Sequence, residues 1–207
     1  MKDLINKIES LKESNISNLV IDRIQEFKKI DKNSTKDLFK ELCFCILTAN
    51  FNAEKCIEIQ NEIGTDFLIL SEEELSNKLS EMGHRYPNCR AKYICDSAKY
   101  NEDLRDIISS TKDEELREWL VENIKGLGYK ESSHFLRNIG FDNLAIIDFH
   151  IIDVLATHKI IKKPKSLTRK KYLEIENTLR KIAKETNLSL AELDLYLWYM
   201  ETGKILK

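Results

Sequence analysis

An all-α fold is what this sequence predicts, and three observations predict it. Apolar residues recur at spacings of three and four along nearly every segment, the period of a helix with one buried face. Glycine (6) and proline (2) are scarce among the 207 residues, so turns are few and long helices are favoured. No stretch alternates convincingly at period two, and there is neither an internal repeat nor a low-complexity linker.

The elements follow in order. LINKIESLKES and NLVIDRIQEFKKI read as amphipathic helices, and DLFKELCFCILTAN as a more apolar one. EKCIEIQNEIGTDFLIL, ELSNKLSEM and CRAKYICDSAKY continue the pattern, with Ser71 ahead of EEEL and Asn88 after Pro87 as start signals. EELREWLVENI, ESSHFLRNIG, IIDFHIIDVLATHKI and KKYLEIENTLRKIAKET come next. SLAELDLYLWYMET, opened by Ser189, closes the series.

A hydrophobic content of 42% with 33% charged residues suits a globular chain and excludes a disordered one. The length allows one large domain or two small ones sharing a core. No apolar run approaches the roughly 20 residues a membrane span needs, and MKDLINKIESLKES lacks the apolar region of a signal peptide, so a cytoplasmic location is expected. The net charge of −2 speaks against nucleic acid, but its distribution is uneven. Lys159, Lys162, Lys163, Lys165, Arg169, Lys170 and Lys171 fall in KIIKKPKSLTRKK without one acid, while acids gather in SEEELSNKLSE. Such a run is either a solvated face or a surface for a polyanion. The five cysteines read as free thiols, with Cys43 and Cys45 serving as small core residues; no CxxC pair and no metal-ligand spacing is present.

Chemistry concentrates in IKGLGYK (124–130) and IIDFH (146–150). EELREWLVENI, KGLG and YKESSHFLRNIG spell helix, tight glycine turn, helix. Gly126 and Gly128 permit the turn and keep Cβ atoms away from an approaching phosphate, and the amides of Gly126, Gly128 and Tyr129 can point at it. The same pattern also serves a plain helix–helix turn. Lys130 stands at a helix start, where the macrodipole disfavours a cation and so favours the neutral amine a nucleophile requires; a solvated lysine is the plainer reading. Asp148, among apolar neighbours, is a helix N-cap, a functional charge, or both.

GLGYK followed by IIDFH resembles the helix-hairpin-helix DNA glycosylases of the endonuclease III superfamily, whose lyase members carry a lysine after the hairpin and an aspartate some eighteen residues later. FCILTANFNAEKC (44–56) is similar to the family segment whose Asn or Gln fills the space of the flipped base, and MGHRYPNCRAKYI (82–94) to its glycine–aromatic stretch. Iron–sulfur cysteines are missing, the chain is short, and it ends TGKILK, which is similar to the archaeal-type 8-oxoguanine DNA glycosylase/AP lyases.

The resemblance implies two helical subdomains, 31–140 with the hairpin and 1–30 with 141–207, and a DNA cleft between them. It implies Lys130 as Schiff-base nucleophile and Asp148 as stabiliser of the sugar's developing charge. Asn50, with Arg85 as a second candidate, would fill the gap in the duplex. His150 would contact a phosphate, although a capping or core histidine fits the same position. Lys207 would lie at the base pocket. Trp198 and Asp194, four apart on one helix face, would stack on and hydrogen-bond the base, unless they are a core tryptophan and a surface acid. The implied partner is double-stranded DNA with a damaged base, bound by a monomer. No cofactor is required, beyond a monovalent cation on the carbonyls of Glu122, Ile124 and Leu127. A non-catalytic hairpin module, or a glycosylase for another damaged base, is the alternative.

Overall fold

The periodicity resolves into twelve α-helices and no strand in a computed structural model that describes every residue from Met1 to Lys207. The chain divides into two compact units, one of Met1–Lys29 with Gly140–Lys207 and the other of Ile30–Ile139. Helices α1 (Lys2–Lys12) and α2 (Ile16–Lys28) belong to the first unit. The second holds α3 (Thr35–Thr48), α4 (Ala53–Ile63), α5 (Glu72–Glu81), α6 (Pro87–Ser97), α7 (Leu104–Ser110), α8 (Asp113–Asn123) and α9 (Tyr129–Asn138). The chain then returns to the first with α10 (Phe149–Thr157), α11 (Arg169–Glu185) and α12 (Leu190–Thr202).

The second unit is built around α3. From Leu38 to Ala49 every residue but Lys40 is buried, and α4, α6, α7 and α9 pack around it. A helix covered on all sides must satisfy its own polar groups. Glu41 does so with both oxygens: Gln60 Nε2 donates to one at 3.0 Å and Asn138 Nδ2 to the other at 3.1 Å. All five cysteines are free, and Cys43, Cys45 and Cys56 are core residues.

In the first unit α2 lies on α12. Ile16, Val20, Ile24 and Phe27 meet Ala191, Leu195 and Tyr196, and Ile205 of the C-terminal tail packs on the same cluster. A 13-residue helix is marginal alone. Burying its four apolar side chains, each worth about 1.5–3 kcal/mol, decides that it forms.

Four details depart from the expectations. EKCIEIQNEIGTDFLIL is not one helix, because Gly64 takes φ +58° and α4 gives way to a 3₁₀ turn over Gly64–Leu68. Helix α6 starts at Pro87, whose missing N–H costs nothing at a first helical position, so Asn88 is inside the helix and accepts from Ser76 Oγ at 2.6 Å. IIDFHIIDVLATHKI is helical only from Phe149. The preceding Leu144–Ile147 is buried and outside any helix, with the Ala145 amide bonded to Glu176 (3.0 Å) and the Ile147 amide to the Tyr172 hydroxyl (3.2 Å). Helix α7, with Leu104 and Ile108 buried, was not anticipated at all.

Candidate functional site

The hairpin between α8 and α9 forms because Gly126 can adopt φ +90° and the Leu127 amide closes back on the Ile124 carbonyl at 3.2 Å. Leu127 is buried beneath it. The two helices are stapled further along: the Tyr129 hydroxyl donates to Glu118, the Arg117 guanidinium lies 5.2 Å from the Tyr129 ring centre, and Arg117 reaches Ser133 Oγ at 3.3 Å.

Gly126 permits the turn as expected, while the side its Cβ would occupy is filled by protein. A Cβ on Gly126 would stand 2.6 Å from Cδ2 of Tyr93, so the ring from α6, not a phosphate, occupies that side. Gly128 is extended at φ −96° and needs no special freedom. Its amide is already engaged, donating to Glu131 Oε2 at 3.3 Å.

Lys130 follows in the first turn of α9, its side chain 23% exposed and its Nζ 3.7 Å from Glu131 Oε1. Cys56 lies near enough to sense it. Burial pushes that thiol up to about 12, against the pull of the Lys130 and Arg90 cations. The thiol is therefore protonated near neutral pH and offers no competing nucleophile.

Elsewhere in the same unit, Asn50 sits exposed at the turn after α3 with φ +59°, a left-handed conformation that asparagine tolerates better than most residues. Sequence reasoning missed what fixes this turn. His84 Nε2 is 3.1 Å from the Leu47 carbonyl, its Nδ1 accepts from the Tyr86 amide at 3.1 Å, and its ring packs on Phe51 with centres 4.2 Å apart. Arg90, also buried, donates to the Ala49 carbonyl. Arg85 is exposed beside this clamp, 5.1 Å from the Tyr86 ring centre.

In the first unit, Asp148 caps α10 by accepting from the Ile151 amide at 3.0 Å. Its other oxygen makes no hydrogen bond within the protein. His150, the second residue of α10, packs edge-on against Trp198 with ring centres 4.7 Å apart, and its Nδ1 is 4.0 Å from Glu201. The Phe149 ring lies tilted against His150, centres 3.9 Å apart, and Phe149 is 65% exposed. Asp194 is only 8% exposed, which removes the surface-acid reading; Trp198 is half-buried. Beyond the left-handed Gly203 the tail returns along α12, so Lys207 is partly covered. Asp148, His150 and Trp198 thus lie on adjoining helices of one unit, while Lys130, the hairpin glycines, Asn50 and Arg85 belong to the other. The basic run occupies the loop before α11 and its first turn, where Lys163 pairs with Asp153 and Lys171 with Glu174.

An all-helical chain whose glycine hairpin opens a lysine-bearing helix defines a helix-hairpin-helix glycosylase fold. The sequence model of the family described as 8-oxoguanine DNA glycosylase matches residues 20–188. The chain belongs to that family. A Korarchaeum cryptofilum 8-oxoguanine DNA glycosylase/AP lyase is 55% identical over 207 residues, covering 99% of this chain and 98% of the relative. A crystal structure of the Methanocaldococcus jannaschii 8-oxoguanine glycosylase/lyase, in complex with a 15mer DNA containing 8-oxoguanine, superposes with a TM-score of 0.95 at 54% identity and 99% coverage of both chains. The Thermotoga maritima 8-oxoguanine DNA glycosylase gives 0.94 at 43% identity, covering 100% of this chain and 99% of the other.

Proposed function

We propose that this protein is a bifunctional DNA repair enzyme that excises 8-oxoguanine from duplex DNA and cleaves the strand at the resulting abasic site. The family, the full-length relatives and the fold support both activities. The observation that carries the chemistry is Lys130, partly exposed in the first turn of α9 directly behind the hairpin.

A stacked base hides its glycosidic bond, so the nucleotide is extruded first, at a cost of a few kcal/mol. Asn50, held in its left-handed turn, fills the gap, and Arg85 flanks it. The hairpin and His150 hold phosphates. The extruded base stacks on Trp198 and hydrogen-bonds Asp194 and the chain end at Lys207. The neutral amine of Lys130 then attacks the anomeric carbon; the glycosidic bond breaks and its electron pair leaves with the base, which takes up a proton. Asp148, with one oxygen spent on the cap and one free, offsets the positive charge building on the sugar. The attached amine sheds a proton, and opening of the sugar ring, with the ring oxygen leaving the anomeric carbon as a hydroxyl, yields a Schiff base on Lys130. Removal of a proton from the neighbouring sugar carbon expels the 3′ phosphate by β-elimination.

The carbonyls of Glu122, Ile124 and Leu127 would hold a monovalent cation. They fit one: they lie at and just past the end of α8, where carbonyls have no helical partner, and the Ile124 oxygen accepts only the Leu127 amide. Such an ion would stiffen the turn and add positive charge beneath a phosphate. The protein acts as a monomer in this reading.

Borohydride reduction during incubation with an 8-oxoguanine duplex tests the proposal. The wild-type protein should form a covalent adduct, and Lys130→Gln should abolish it while still binding DNA. An adduct with the variant assigns the nucleophile to another amine. No adduct with the wild type leaves a DNA-binding module, and preferential excision from a thymine-glycol duplex transfers the activity to another base.

A further inference from the structure

The same local motif occurs three times in this chain, and one copy differs. At α5 and α12 a serine N-cap is followed three residues later by glutamate, in Ser71–Glu74 and Ser189–Glu192. In both, a single carboxylate oxygen, Oε2, takes the cap amide (2.9 and 2.7 Å) and the cap hydroxyl (2.7 Å in each). These are closed capping boxes. At α9 the pattern is Gly128–Glu131. Glycine has no hydroxyl to give, so only the amide remains, at the longer distance of 3.3 Å. The carboxylate's other oxygen turns instead to Lys130 Nζ, 3.7 Å away.

We propose that Glu131 is a positioning residue for Lys130: its carboxylate, anchored to the hairpin backbone through the Gly128 amide, holds the lysine amine at the mouth of the turn. Three facts support this. Glu131 is the one acidic partner Lys130 has within the protein, and its side chain is only 16% exposed, so the pairing is sheltered from water. The anchor is backbone, which cannot swing away as a side-chain partner could. The carboxylate lies close against the turn, since a Cβ on Gly128 would stand 3.4 Å from Glu131 Oε2, an ordinary contact. A lysine side chain is otherwise free about four bonds, and small displacements of a reacting group slow a reaction steeply. Here too the cap engages only Oε2, which leaves Oε1 to face the lysine.

This inference rests on Lys130 being the nucleophile, and the experiment separates the two ideas. An abasic-site duplex bypasses base excision, and borohydride trapping under single-turnover conditions with excess protein reads Schiff-base formation alone. Glu131→Gln keeps an amide oxygen for the Gly128 N–H and loses the charge. The expected result is trapping slower by roughly ten- to a hundredfold, with the dissociation constant for the duplex and the thermal midpoint unchanged. Trapping at the wild-type rate overturns the proposal. A loss of stability or affinity that accounts for the slower trapping also overturns it, because Glu131 would then be a helix cap and nothing more. Lys130→Gln runs in parallel: if it still traps, the nucleophile reading fails first and the role of Glu131 falls with it.

Discussion

Gly126→Ala isolates the physical origin of the hairpin. The substitution meets two separate penalties. At φ +90° an L residue is strained by roughly 1–2 kcal/mol. The new Cβ would also stand 2.6 Å from Cδ2 and 3.3 Å from Cε2 of Tyr93, and overpacking of that kind costs about 1–3 kcal/mol. Together about 2–5 kcal/mol should be lost, a large share of the roughly 5–15 kcal/mol that holds a typical domain. Urea unfolding of Gly126→Ala, Tyr93→Ala and the double variant apportions the two. Removing the ring removes the clash and leaves the backbone strain, so Gly126→Ala should cost only about 1–2 kcal/mol in the Tyr93→Ala background. Equal costs in both backgrounds would refute Tyr93 as the wall. A negligible cost in the wild type would refute the backbone conformation itself.

Asp148→Asn should keep the cap on α10, since asparagine caps as well as aspartate, yet slow single-turnover excision by about a hundredfold or more; excision at the wild-type rate confines Asp148 to the cap. His84 sets a pH dependence. Burial holds its imidazole below the ordinary value, with the neighbouring Arg90 cation adding to the effect and the Leu47 carbonyl opposing it. The unfolded chain therefore binds a proton near pH 6.5 that the folded chain refuses, and the stability from neutral His84 is present above about pH 6.5 and lost as the pH falls through the lower folded value. Urea unfolding between about pH 7.5 and 5 should show a steeper acid loss for the wild type than for His84→Gln; identical slopes would mean that His84 titrates normally in its clamp.

Much of the fold was legible because the signals were local. The Val20–Ile24–Phe27 stripe of α2 and the serine–glutamate starts of α5 and α12 depend only on near neighbours, and the helices stand where those patterns begin. What escaped depended on distant ones. AIIDFHII reads as helix because its apolar run is unbroken, but the amides of Ala145 and Ile147 are taken by side chains of α11 that the run itself does not announce. Helix α7 has just two buried residues and a single turn between them, too short a pattern to rise above its polar surroundings. In the site, Lys130 stood out by its place after two glycines. The residues that support the site did not. His84 and Arg90 act on carbonyls some forty residues earlier in the chain, and no spacing in the sequence links them. Glu131 was in plain view as the third copy of a cap pattern read twice elsewhere.

The buried, non-helical run before Asp148 bears on which substitutions this chain can accept. Tyr172 both receives the Ile147 amide and donates to the Ala145 carbonyl at 2.7 Å, and Glu176 receives the Ala145 amide. Neither side chain touches the aspartate, yet they specify the path that delivers it. Tyr172→Phe would preserve the shape of the ring and still orphan two buried backbone groups, a substitution conservative by every table and costly here. Positions 145–147 are held twice over, by these main-chain bonds and by the burial of their own side chains, so exchanging one aliphatic residue for another there also costs packing. The path to Asp148 therefore depends on two side chains of α11, 25 and 31 residues beyond the amides they hold, as well as on the residues that lead directly into it.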